Sequence, residues 1–302
     1  MRRLMRCPEY CDDTFNDRGD GFFFSSPPPK DLSNRANLED KNYWVRLCCA
    51  LARLREGDFN VFAPLMAAMA RAEDGDFWNS CGLLLSFAAP YSDLRKLSHV
   101  FPADDLRKSS ELVRLYCKIL AHSMAPWAID EVLKWYEATR DEDVRVLVAG
   151  YLSHVLEDEP SVVAHGPRLK TAPEPPPPFE ERYYDYNEYL TVVRSIRDKA
   201  VAENAGRIDI PLLGGRPFSV VDLARRIIQH AKEGEDSPRT NFERMAFEGT
   251  TGISCKKFFA QTEHVPFRPL TAAAIAEDFL RSKASKAFAV GVRYFFGYPI
   301  PP

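Results

Sequence analysis

From Leu38 onward, apolar residues recur at steps of three and four, the period that lays one stripe along one face of an α-helix. In YWVRLCCALARLREG the stripe is Trp44, Leu47, Cys48, Leu51 and Leu54, and Gly57 supplies a stop. DFNVFAPLMAAMARAEDG repeats the device with Phe62, Leu65, Met66 and Met69, with Asp58 read as the cap and Gly75 as the end. DFWNSCGLLLSFAAP again follows a Gly-Asp-Phe step and ends at Pro90, so the two such steps, at Gly57 and Gly75, are read as helix boundaries. YSDLRKLSHV predicts a short helix closed by Phe101-Pro102, and ADDLRKSSELVRLYCKILAH a longer one broken before Pro126. PWAIDEVLKWYEATR starts with proline in the first turn, where its missing donor is harmless. DEDVRVLVAGYLSHVLEDE completes this part of the chain.

Asp105-Leu106-Arg107 aligns with Asp143-Val144-Arg145 at a spacing of 38, within the span of helix-pair repeats. In that register Asp caps, the aliphatic residue enters the core, and Arg lies along the stack. Similarity outside these positions is poor. The expected fold is therefore mostly all-α: irregular HEAT-like antiparallel helix pairs over 38–160, followed by a mainly helical C-terminal region with extended segments. A non-repetitive helical bundle is the alternative.

Three stretches depart from the helical period. Residues 1–37 form a polar lead containing GFFFSSPPPK, in which three prolines forbid a helix. Either Phe22, Phe23 and Phe24 pin this lead onto the body, or it is disordered. Residues 161–180 are Pro-rich and predict an extended linker. In 181–302, a long helix with Tyr183, Tyr184, Tyr186 and Tyr189 near its start leads to Gly214-Gly215, a turn within a short hairpin. Ser219 and Asp222 then resemble a capping box, and further helices are expected over SPRTNFERMAFEG and LTAAAIAEDFLRSKAS. The aromatic, Pro-ended tail is expected to lie extended across the body, docked by Val292, Phe295 and Phe296.

Composition narrows the class. The 302 residues are 45% hydrophobic and 27% charged, as in a globular protein. The net charge of −3 is uneven: residues 181–302 hold 18 Lys and Arg against 15 Asp and Glu, leaving residues 1–180 at −6. Neither part is basic enough for a nucleic-acid surface. Seven cysteines, an odd number with Cys48 and Cys49 adjacent in an apolar stripe, point to free thiols in a reducing compartment. With no signal-peptide pattern and no long apolar run, a cytoplasmic protein without a membrane span is expected.

The six histidines include no pair at helical metal-ligand spacing, and Cys7 and Cys11 have no second pair to complete a zinc site, so neither metal nor cofactor is expected. Cys255, beside Lys256 and Lys257, has the charge environment that activates a thiol, but no base can be assigned to it and a buried cysteine is the competing reading. There is no P-loop and no G-x-G-x-x-G. With no catalytic constellation, a protein-binding role is expected rather than an enzyme. A helical stack offers a concave surface, on which Trp78, Trp127, Trp135 and Tyr136 are the candidate partner-binding residues, with core packing as the competing role.

The N-terminal helix pairs resemble bacterial HEAT-like proteins. The phrases FEGTTGISCKKFF and GVRYFFGYPIP resemble those of a bacterial immunity-protein family of polymorphic toxin systems. That resemblance implies an intracellular, non-enzymatic protein that binds and neutralises a cognate toxin, and an acidic stack would suit a basic toxin. A general scaffold or adaptor has the same sequence signature. A HEAT-like DNA glycosylase would need a basic groove, and a HEAT-like bilin lyase would need to bind pigment.

Overall fold

The computed structural model describes residues 24–26, 28, 31–156, 186–233, 238–259 and 267–302. These residues are mostly α-helical, with two short hairpins, and no described helix is long and apolar enough to cross a membrane. Packing divides the chain into two units: residues 1–102 together with 218–302, and residues 103–217. The boundaries fall at 102/103 and 217/218, so the residues expected to form one stack over 38–160 belong to two units. The expected 161–180 linker lies outside the described residues.

The first unit opens with α1 (Tyr43–Leu54), α2 (Phe62–Met69), α3 (Gly75–Ala88) and the single turn α4 (Tyr91–Leu94). Asn42 caps α1 through its side chain, and Gly57 leaves that helix with a φ of 83°, a left-handed position that glycine adopts without strain. A Cβ on Gly57 would also come within 2.7 Å of the Tyr298 ring, so the position is doubly restricted.

The two Gly-Asp-Phe steps prove unlike. Asp58 does not cap α2; its carboxylate accepts from Arg53 at 2.8 Å and from the Asn60 N–H. The cap of α3 is Asp74, which accepts from the Asp76 and Phe77 N–H groups, and Gly75 lies inside the first turn rather than ending the previous helix.

The second half of the unit is α10 (Val220–Glu233), α11 (Pro238–Thr251) and α12 (Pro269–Arg281), followed by a hairpin of β3 (Tyr294–Phe295) and β4 (Tyr298–Pro299). The Ser219 hydroxyl accepts from the Asp222 N–H, as the capping pattern predicts. Helices α10 and α12 pack most extensively, α11 lies against α3, and β3 contacts both α3 and α11.

Phe24, with no exposed surface, meets Phe87 and Phe295 edge-on at centroid separations of 5.6 and 5.4 Å. One aromatic from each of three distant segments thus closes a single core. That answers the two readings of the N-terminal lead for Phe24, which is pinned; Phe22 and Phe23 lie outside the described residues.

The second unit contains α5 (Ala103–Leu106), α6 (Ser110–His122), α7 (Pro126–Ala138), α8 (Glu142–Leu156), α9 (Tyr186–Glu203) and a hairpin of β1 (Leu212–Leu213) with β2 (Arg216–Pro217). The single long helix expected over 103–122 is two helices, because Ser109 starts a new one by accepting from the Leu112 N–H. Helices α6 and α8 lie against each other, α7 packs on α6 and α8, and α9 packs on α7 and α8. The 38-residue register is corrected by these caps: Asp105-Leu106-Arg107 lies at the end of α5, whereas Asp143-Val144-Arg145 lies in the first turn of α8. The equivalent starts are Ser109 and Asp141, whose side chains accept from Leu112 and Val144 respectively.

Candidate functional site

In the first unit, four Glu and Arg side chains among the described residues are enclosed: Glu243, Arg244, Glu248 and Arg293. Glu248 has no exposed surface. Its Oε2 accepts from the Phe24 N–H at 3.1 Å and its Oε1 from the Ser25 hydroxyl at 2.5 Å and the Cys255 N–H at 3.2 Å. Arg244, equally buried, stands 3.5 Å from the same carboxylate. Desolvation pushes the Glu248 carboxyl up from its ordinary range, against the opposing pull of Arg244 and the donated hydrogen bonds. Burial also pushes the Cys255 thiol well up, with the Glu248 charge adding to it. Cys255 is therefore held as a neutral thiol, despite the two lysines that follow it, and the buried-cysteine reading holds.

Glu243, also fully buried, lies 3.1 Å from Arg226 and 2.8 Å from His230 Nδ1, joining α11 to α10. Arg293 donates to the carbonyls of Ser86 and Ala89, each at 2.7 Å, and stands 4.8 Å from the Tyr91 ring centre. It satisfies carbonyls left open at the end of α3. The FEGTTGISCKKFF and GVRYFFGYPIP stretches meet here as well: the Phe296 and Gly297 N–H groups donate to the carbonyls of Gly249 and Thr250. Gly252, with a φ of 72°, would place a Cβ 2.9 Å from the Phe296 ring. These residues are used for cohesion.

The second unit offers an open cleft of about 490 Å³. It is built where the adjacent helices α6 and α8 begin. Leu106, Val113 and Trp135 give it a buried apolar floor, and Ser109, Ser110, Thr139 and Asp141 contribute polar walls. Arg107, Lys108 and Arg140, all exposed, supply positive charge. Helix starts carry partial positive charge from N–H groups without intrahelical partners, so the two termini act in the same sense as the three cations.

Asp141 is the one acid in the lining, and its carboxylate is engaged: the Ser110 hydroxyl and the Val144 N–H hold it below the usual carboxylate range. The Trp135 indole is fixed by a hydrogen bond from its Nε1 to Glu131 at 3.0 Å, with Lys134 5.5 Å from the ring centre. A rigid aromatic floor, hydroxyls and forked guanidinium donors can bind an anionic group and orient what carries it.

Of the four candidate partner-binding residues, Trp135 is placed in this cleft, although only 4% of it is exposed. Tyr136 is a core side chain over which Arg145 lies, with Arg145 Nε donating to the Tyr136 carbonyl; Arg145 thereby ties α8 to α7, as the stacking role requires. Trp127 is half-buried in the second unit, its backbone N–H bonded to the Ile208 carbonyl. Trp78 is half-buried in the first unit, edge-on to Phe101.

Arg107, Lys108, Ser110 and Arg140 were not among the candidates. Their signal is faint: Arg140-Asp141 and Lys108-Ser109 each put a cation directly before a cap, and only adjacency of the two helices makes the cations neighbours. Among the described residues no group of three or more His, Cys, Asp or Glu side chains is disposed to hold a metal. Comparisons with protein-family models, with curated proteins and with solved structures give no match.

Proposed function

We propose that this chain is a non-catalytic protein-binding module that neutralises a cognate bacterial toxin, with the cleft at the starts of α6 and α8 as part of its recognition surface. The observation that carries the binding role is the contrast in use of charge. Among the described residues the buried glutamate and arginine side chains, Glu243, Arg244, Glu248 and Arg293, all belong to the first unit, whereas the cleft of the second sets exposed cations and hydroxyls over a buried, anchored indole. Aromatic and arginine side chains in a concavity are the usual anchors of protein recognition. The toxin as the partner rests on the resemblance of the FEGTTGISCKKFF and GVRYFFGYPIP phrases, whose residues here form the clasp that holds the first unit together.

The test is co-expression with the product of the gene adjacent to this chain's own, expressed as the candidate toxin. Growth should be restored, and the purified chain should form a stable complex with a catalytically inactive form of that toxin. Unchanged growth arrest together with no complex would remove the toxin reading.

A further inference from the structure

The lining of the cleft concentrates Arg107, Lys108 and Arg140. Next to those cations stands an acidic rim. Asp104 lies 2.8 Å from Arg107 and Asp105 3.9 Å from Lys108, in pairs whose four side chains are 56–80% exposed. Glu142 and Asp143 follow Asp141 on the exposed first turn of α8. Ion pairs this exposed are weak and exchange readily for a better-placed anion. A polyanion such as a nucleic acid would meet the exposed Asp104, Asp105, Glu142 and Asp143 together with the cations. A single carboxylate carried among basic residues avoids that repulsion.

We propose that the cleft takes the carboxylate side chain of a partner segment in which one Glu or Asp is flanked by Lys or Arg. The carboxylate enters between Arg107 and Arg140, at the convergent starts of α6 and α8, and displaces the loose pairing of Arg107 with Asp104. The flanking cations then face Asp104, Asp105, Glu142 and Asp143. Lys108 adds charge, and the aliphatic stem of the incoming residue lies over Leu106, Val113 and Trp135. Reading the two charge zones together selects a sequence pattern and not only a sign of charge. This inference rests on the protein-binding reading of the same cleft and specifies its partner.

The test uses the full chain, the peptide acetyl-Ala-Lys-Glu-Lys-Ala-amide and its counterpart with Gln in place of Glu, followed through the backbone amide resonances of Ser109, Ser110 and Arg140. The Glu peptide should give saturable shifts at these amides with millimolar affinity, and the Gln peptide should bind at least tenfold more weakly. The double variant Arg107→Glu, Arg140→Glu changes exposed side chains only, and it should keep the dispersed spectrum while losing the response. Equal shifts from both peptides, no saturable shift at roughly 10 mM peptide, tighter binding of inorganic phosphate at the same amides, or an undiminished response in the double variant would each overturn the proposal. None of these outcomes depends on the toxin, so failure here leaves the co-expression result to decide the wider reading independently.

Discussion

The two units put similar residues to opposite uses. In the unit formed by 1–102 and 218–302, Glu243, Glu248, Arg244 and Arg293 are buried, and Glu248 and Arg293 hold together segments more than 200 residues apart in sequence. In the 103–217 unit, sequential helices pack on their neighbours and Arg107, Lys108 and Arg140 remain at the surface around a cleft. A buried charge is costly unless it is paired and hydrogen-bonded, and Glu248 and Arg293 each meet that need by binding two backbone groups. A surface charge constrains little and is available to a partner. Cohesion and recognition are thus separated by burial rather than by residue type.

The sharpest way to break this contrast is to remove the aromatic plug. Phe24→Ala should destabilise the chain by about 3–5 kcal/mol, because it empties a fully buried site between Phe87 and Phe295; the urea midpoint reports it. Arg293→Lys comes next. An ammonium cannot span the Ser86 and Ala89 carbonyls while lying over Tyr91, and a loss of about 2 kcal/mol is expected from the same measurement.

Two carboxylates then sharpen the comparison through pH. Glu248 has its folded pKa raised, so its contribution to stability is complete below the ordinary carboxylate range and is lost as pH rises through the raised value. Asp58 has its folded pKa lowered, mainly by Arg53, so its contribution is present above the ordinary range and is lost as pH falls through the lowered value. Urea midpoints between about pH 3 and pH 8 should therefore show Asp58→Asn costing about 1 kcal/mol at neutral pH and converging with the parent in acid. Glu248→Gln should instead flatten the decline that follows Glu248 ionisation. Smallest in stability is Arg140→Glu, expected to change it by less than about 0.5 kcal/mol while weakening capture of the acidic peptide.

Local structure was legible where one residue decides it. Pro126 starts α7, Ser219 caps the helix after it, and the Gly214-Gly215 turn forms a hairpin. Local structure was ambiguous where two residues could do the same job. Asp58 and Asp74 both precede apolar runs, and only the Arg53 guanidinium, reaching Asp58 from α1, leaves the capping role at α3 to Asp74. Likewise, Ser109 interrupts what periodicity reads as one continuous helix.

The division into units was not legible, since it depends on contacts such as Phe24 with Glu248, 224 residues apart, which leave no local period. At the candidate site, Trp135 could be singled out as an aromatic, but Arg107, Lys108 and Arg140 look like solvated charges until α6 and α8 are placed side by side.

Amide hydrogen exchange on Phe24→Ala tests the central contrast most directly. Faster exchange is expected in α3, in α11 and at the Phe296 and Gly297 amides, with the protection of α6 and α8 kept. Loss of protection in α6 and α8 equal to that in α3 and α11, or no change in any of them, would contradict it.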